Sequence, residues 1–285
     1  MSDAITIAGH ALREAVRRRV LLVVALLTAV FLGLYALAAF EAFASLERNS
    51  GGGFVPIDER ALAGGTLLGL AMFVALFLGV VLAIFLTLGA VRGDAERGLL
   101  QPLVVRPVGR TTLLVGRLLA ACAVCVPYVV IVFLAAAFIT RAAGDFTPAS
   151  YLVPAAGLAL GVVTVVAISL LGSTVLGTTA NGIAIFMVFA TGLAAGLLGQ
   201  IGEGLDVDGL TTASEIISWI VPFEALYQNG LHALTSDIGG ATGVIVQLGP
   251  FGGASGVGAA IWPWAVAWSV AVLALAALAF RRRDL

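Results

Sequence analysis

The chain has 285 residues, of which 61% are hydrophobic and only 11% charged, with a formal net charge of −1. An ordinary soluble domain carries about 25% charged residues, so this chain lacks the polar side chains to cover a surface facing water, and its solvent must largely be lipid. A single membrane domain of several spans covering residues 1–285 is expected, all-α, rather than a set of soluble domains.

All 15 cationic residues are arginine, and the chain contains no lysine. A P-loop needs its lysine on the phosphates, and Schiff-base or Ser/Lys chemistry needs one too. Hydrolysis of ATP through a Walker A motif is therefore excluded. The chain is expected not to be an enzyme, and neither a cofactor nor a nucleic-acid partner is expected.

In chain order, Asp3 to Arg18 place Ile5, Ala8, Leu12 and Ala15/Val16 at helical spacing, with Arg13, Glu14, Arg17 and Arg18 elsewhere. That pattern predicts a short amphipathic helix on the inner membrane surface, carrying His10. The apolar run after Arg19 is long and ends in no small-residue cleavage site, so it reads as a retained span. A span needs about 20 apolar residues, and charge-free windows place six, at about 20–40, 62–91, 113–139, 151–176, 182–201 and 261–280. The second window, Arg60 to Arg92, would be about 46 Å long as a helix at 1.5 Å per residue. It exceeds the ~30 Å hydrocarbon core and should tilt or project.

The turns between these spans follow from local composition. Glu41 to Arg60, with "NSGGG", reads as a flexible outer loop, and "GTTANG" (Gly177 to Gly182) as the turn between the fourth and fifth spans. "TASEIISWIVPFEALYQNGLHAL" reads as two short helices broken at Pro222, each with an apolar face. They are too short and too charged to cross and should lie on the outer leaflet or dip into it, in a re-entrant manner. Residues 238–260 hold eight glycines in 23 positions and Pro250, which predicts a loop. Trp262, Trp264 and Trp268 near the start of the last span are expected interfacial anchors.

Arginine placement sets the orientation. With the N-terminus inside, twelve arginines fall in cytoplasmic segments and only Arg48, Arg60 and Arg141 outside. By the positive-inside rule both termini are cytoplasmic, which requires an even number of spans. The outer segment Gly202 to Ala260 is then acidic, with Glu203, Asp206, Asp208, Glu215, Glu224 and Asp237, and these carboxylates are expected to form a solvated face.

Potential chemical sites are few. Cys122 and Cys125 share a helix face as soft-metal ligands would, but only three methionines exist and neither histidine is near in sequence, so they read as packing residues and no metal is expected. His232, in the outer pair, reads as a packing or hydrogen-bonding residue. Gly65-x3-Gly69, Gly157-x3-Gly161 and Gly192-x3-Gly196 permit close helix approach, a weak signal in a chain with 35 glycines. No Asp, Glu, Lys, Arg or His lies well inside a span, whereas ion-coupled carriers and proton pumps place such groups there. Intramembrane proteases need His, Glu or Asp at membrane depth, or a Ser/His pair. The energy for any transport must come from elsewhere.

The main exception to the apolar pattern is "RGDAERGLLQPLVVRPVGR", where Arg92, Asp94, Glu96, Arg97, Arg106 and Arg110 gather in the principal cytoplasmic loop. Asp94 and Glu96 suit a helix N-terminus. Pro102 is tolerated only in a first turn, so a helix should begin near Leu99 or Leu100. Leu99, Leu100, Leu103 and Val104 would form its apolar face, and the whole reads as a docking element.

The stretch "DAERGLLQPLVVRPVGRTTLLVGRLLA" resembles the cytoplasmic loop of permeases of the ATP-binding-cassette type-2 (exporter) family. The pattern there is Glu-Arg/Lys-Gly, an apolar helix, Arg-Pro-Val/Ile, a polar pair and Gly-Lys/Arg, matched by Glu96, Arg97, Gly98, Arg106, Pro107, Val108, Arg110, Gly116 and Arg117. The resemblance extends over the chain: surface helix, six spans, and a helix pair before the last span. It implies a permease that dimerises to twelve spans in the plasma membrane and pairs with two copies of a separate ATPase subunit. It also implies that residues 94–106 are the coupling helix, with Asp94, Glu96, Arg97, Leu99, Leu100, Leu103 and Arg106 meeting the ATPase. Gln101-Pro102 departs from the apolar or acidic residues common there. An amphipathic or lipid-like cargo suits the apolar, small-residue spans better than an ion. The alternative is a non-transporting scaffold or mechanical subunit of an ATPase complex.

Overall fold

The computed structural model describes residues 9, 19–49, 58–88, 109–238, 242 and 258–281. Among these residues the structure is all-α, with eight helices: α1 (Arg19–Asn49), α2 (Glu59–Thr87), α3 (Arg110–Gly144), α4 (Leu152–Val175), α5 (Thr178–Leu205), α6 (Asp208–Ile220), α7 (Pro222–Thr235) and α8 (Ile261–Arg281). Six of them, α1 to α5 and α8, are long and apolar enough to cross a membrane. The bundle exposes large apolar side chains, among them Leu22, Leu26, Leu37, Phe138 and Val270. So many exposed large apolar side chains are costly in water and ordinary in lipid. The chain is a multi-pass membrane protein.

Helix α4 organises the bundle, since it packs against α2, α3, α5, α7 and α8. It contains no ionisable residue, so every face of it can be buried at no cost in desolvated charge. Leu158, Val162, Val165, Val166 and Leu170 of α4 meet Leu76, Val80 and Leu82 of α2 and Val129 and Phe133 of α3 in one core. The close approach of α2 to α3 and α4 is possible because position 79 is glycine. A Cβ there would lie 3.1 Å from Val162 and would overlap Val129.

Helix α1 stands at the edge. Its inward stripe is narrow, with Val24, Tyr35, Ala39 and Phe43 buried, and two hydrogen bonds fix it to α3: Thr28 to Tyr128 and Tyr35 to Thr140, each 2.5 Å between oxygens. Inside lipid such side-chain bonds act as glue between helices whose apolar faces gain little from association.

Several expectations from the sequence are corrected. The expected outer loop at 41–60 is half helix, because α1 continues to Asn49. Exposed ion pairs run from Arg48 to Glu41 within that end of α1 and, at 3.1 Å, from Arg60 at the start of α2 to Glu47. The turn between the fourth and fifth spans lies at Leu176 and Gly177, not across the whole of "GTTANG". Asn181 and Gly182 are buried within α5 because the Asn181 amide donates to the Ser169 carbonyl of α4 at 3.1 Å. Helix α3 runs through Pro127 and ends at Asp145, which adopts the left-handed conformation (φ 52°) and donates its N–H to the Arg141 carbonyl.

Candidate functional site

The two short helices expected before the last span are present, and they differ sharply in environment. Helix α6 has no buried residue and leaves Ile216 and Ile220 exposed. Val221 breaks the pair, and Pro222 takes the first position of α7, where a missing N–H costs nothing. Helix α7, by contrast, does not lie on a surface. Eleven of its fourteen residues are buried, and it is wedged among α2, α4, α5 and α8. Of the two placements expected for the pair, lying on the leaflet or dipping into it, the burial of α7 among the long helices rules out only the first for that helix.

Small residues make that seat. Against α4, a Cβ at Gly157 would come within 2.7 Å of the Leu226 carbonyl oxygen, so only glycine lets the α7 backbone approach. At Gly161 of α4 an added Cβ would stand 3.7 Å from Phe223. On α5, a Cβ at Gly192 would lie 2.5 Å from the Phe223 ring, and Gly196 leaves the space filled by the side chains of Glu224 and Gln228. On α2, Gly69 faces Leu231. The three glycine pairs that looked like chance matches in the sequence each contribute a contact to one helix. Phe223 also stacks on Phe189 of α5 with centroids 5.2 Å apart.

Into this apolar seat α7 brings three polar side chains on one face, Glu224, Tyr227 and Gln228, at positions i, i+3 and i+4. Glu224 is 2% exposed, which corrects the expectation that all six carboxylates of residues 202–260 form a solvated face. Glu203, Asp206, Asp208, Glu215 and Asp237 are exposed as expected. Gln228 donates from Nε2 to Glu224 Oε1 at 2.8 Å. The other carboxyl oxygen Oε2, the Gln228 carbonyl Oε1 and the Tyr227 hydroxyl are all buried with no hydrogen-bond partner. Burial pushes the Glu224 carboxyl up to about 7 from its ordinary 4.5, with the Gln228 bond opposing. The same burial, reinforced by the nearby carboxylate, raises the Tyr227 phenol.

A cavity of about 500 Å³ opens at the same end of the bundle, lined by Asp58, Arg60, Asp145, Thr147, Asp237 and Thr242 among others. Asp58 caps α2 by accepting from the Arg60 and Ala61 amides, and its own N–H donates to Thr242. No group of three potential metal ligands forms among the described residues. Cys125 is fully buried in the main core and Cys122 packs against it, both in α3. His232, near the C-terminal end of α7, is half-buried.

At the opposite end a second polar cluster ties the exit of α2 to α4 and α5. Thr87, the last residue of α2, hydrogen-bonds Ser169 of α4 at 2.6 Å, and Asn181 of α5 donates to the same serine's carbonyl. Neither cluster is a catalytic constellation: no nucleophile stands beside a base.

The family model of the ABC-2 family transporter proteins matches residues 5–285. The chain belongs to that family. No curated protein matches it. ABC-2 permeases are membrane components of transporters and generally work with a separate ATP-binding subunit, where ATPase activity lies. The residues that the resemblance assigned to ATPase coupling, Asp94, Glu96, Arg97, Leu99, Leu100, Leu103 and Arg106, lie outside the described residues, as do His10 and nearly all of the expected surface helix at residues 3–18. What sequence reasoning missed is the buried triad on α7. The i, i+4 spacing of Glu224 and Gln228 puts them on one helix face but carries no sign of burial, and Glu224 reads there only as one outer acid among six.

Proposed function

We propose that the chain is the permease subunit of an ABC-2 exporter in the plasma membrane, working as a homodimer with two copies of a separate ATPase and moving an amphipathic or lipid-like cargo by alternating access. The observation that carries this is the family match over residues 5–285 on a bundle whose six long helices hold no Asp, Glu, Lys, Arg or His in their central turns. Such a bundle has no carboxylate or histidine relay at mid-membrane through which an ion gradient could drive it. In this reading both termini and residues 94–106 are cytoplasmic, and α6, α7 and the cavity at Asp58 face outward. The coupling segment joins α2 to α3. Motion imposed on it would reach Thr87, cross to Ser169 of α4, and travel about 18 Å along α4, at 1.5 Å per residue, to the glycines under α7. The chain brings no catalytic group and needs no cofactor in this role.

The test is purification of the chain from native membranes, followed by reconstitution. A Walker-A ATPase should come with it, and the complex should move a fluorescent lipid-like probe on addition of ATP. A complex that hydrolyses ATP but moves no cargo would instead mark a mechanical or scaffold subunit.

A further inference from the structure

The polar triad under α7 has one peculiarity of composition. With Glu224 as a carboxylate, its three partnerless atoms are two acceptors that cannot donate, Glu224 Oε2 and Gln228 Oε1, and one hydroxyl, Tyr227 Oη. The cluster is short of a donor. The space left by Gly196 is taken by Glu224 Oε1 and Gln228 Nε2, the two atoms already bonded to each other. The smallest ligand that supplies a hydrogen-bond donor is a proton.

Nothing else on the surrounding helices supplies a compensating charge. Helix α4 has no ionisable residue. The ionisable groups of α2 are Glu59 and Arg60 in its first turn, those of α6 are Asp208 and Glu215, and α5 and α8 offer only Glu203 and Arg281 near their ends. All six are exposed. On α7 itself the other titratable groups are Tyr227 and His232. Desolvation and the Gln228 bond are the influences acting on the Glu224 carboxyl. A carboxylate left in such a site carries a full desolvation cost.

We propose that Glu224 is a proton-binding site built into the seat of α7, protonated while that helix is packed on Gly192 and Gly196 and releasing its proton to water when the helix moves off them. On release the Oε2–H bond breaks, the proton goes to solvent, and no other bond changes. The sign follows from the seated carboxyl titrating near 7 and the released one near 4.5. The bias toward the seated helix is full below about 4.5, falls as pH rises through 7, and is constant above it. The external pH would thereby tune how readily α7 leaves its seat.

Infrared titration of the full chain in lipid nanodiscs, between about pH 4 and 9, tests this. The protonated-carboxyl band assigned to Glu224, by its absence in Glu224→Gln, should lose half its intensity near pH 7. In Gln228→Leu, where the group favouring the carboxylate is gone, the midpoint should move higher still. Titration of that band with the ordinary carboxyls, or a midpoint that Gln228→Leu leaves in place or lowers, overturns the proposal. Hydrogen exchange of the α7 amides gives a second readout that does not depend on the Gln variant folding well. Protection in wild type should fall as pH rises through 7 once intrinsic rates are removed, and protection flat in pH would overturn the link to seating.

Discussion

Gly196 of α5 and Glu224 of α7 share one volume: the carboxyl fills the space that any side chain at position 196 would need. A bare stretch of α5 backbone lets α7 come close enough to exclude water from the acid, which penalises its charged form. The relation predicts the effect of filling that space. Gly196→Leu should displace Glu224 and Gln228 together, at about 1–3 kcal/mol for overpacking a filled core. The variant should still insert, since α5 remains apolar, while the α7 amides lose exchange protection. A Gly196→Leu chain with α7 as protected as in wild type would show that the seat is not where the structure puts it.

The Thr87–Ser169 bond gives a prediction of a different kind. Thr87→Val keeps the shape and removes the hydroxyl. Interhelical side-chain hydrogen bonds in membranes are worth about 0.6 kcal/mol on average, so stability should barely change. If the bond passes motion from the coupling segment to α4, cargo moved per ATP hydrolysed should fall several-fold in the reconstituted complex. An unchanged ratio would remove Thr87 from the route.

How far these features could be read in the sequence depends on what made them. The six long helices were legible because the cost of a charge in lipid clears whole windows of sequence, and Arg60 and Arg141 mark the window edges without reference to any neighbour. The end of α1 was not legible, because Glu41, Glu47 and Arg48 look like loop residues until Arg60 of the next helix is beside them. Asn181 looked like turn punctuation and is instead an anchor, since its partner is a main-chain carbonyl twelve residues back on α4. Glu224 is the clearest case. Its burial is set by Gly157, Gly192 and Gly196 on two other helices, and no local pattern around residue 224 reports them.

The proposed orientation rests on arginine distribution and predicts a labelling pattern. On a background lacking Cys122 and Cys125, a cysteine at Ser236, exposed just beyond α7, should react with an impermeant reagent on intact cells. Cysteines placed within 94–110 should react only after the cells are broken. The reverse pattern would invert the bundle and put α7 on the inside.

The central claim is that a separate ATPase drives this permease through residues 94–106. Arg97 can pair with a carboxylate through two parallel hydrogen bonds, and losing one partner of a buried charged contact costs about 2–5 kcal/mol. Leu100→Asp would place a charge in the apolar face of the same segment and should be at least as damaging. The most direct measurement is pull-down of the partner ATPase from membranes by Arg97→Glu and Leu100→Asp permeases, with ATP hydrolysis and cargo efflux followed in parallel. Both variants should insert as wild type does, yet bind the ATPase at least tenfold more weakly or hydrolyse ATP without efflux. Wild-type binding and coupled efflux in both variants would contradict the account.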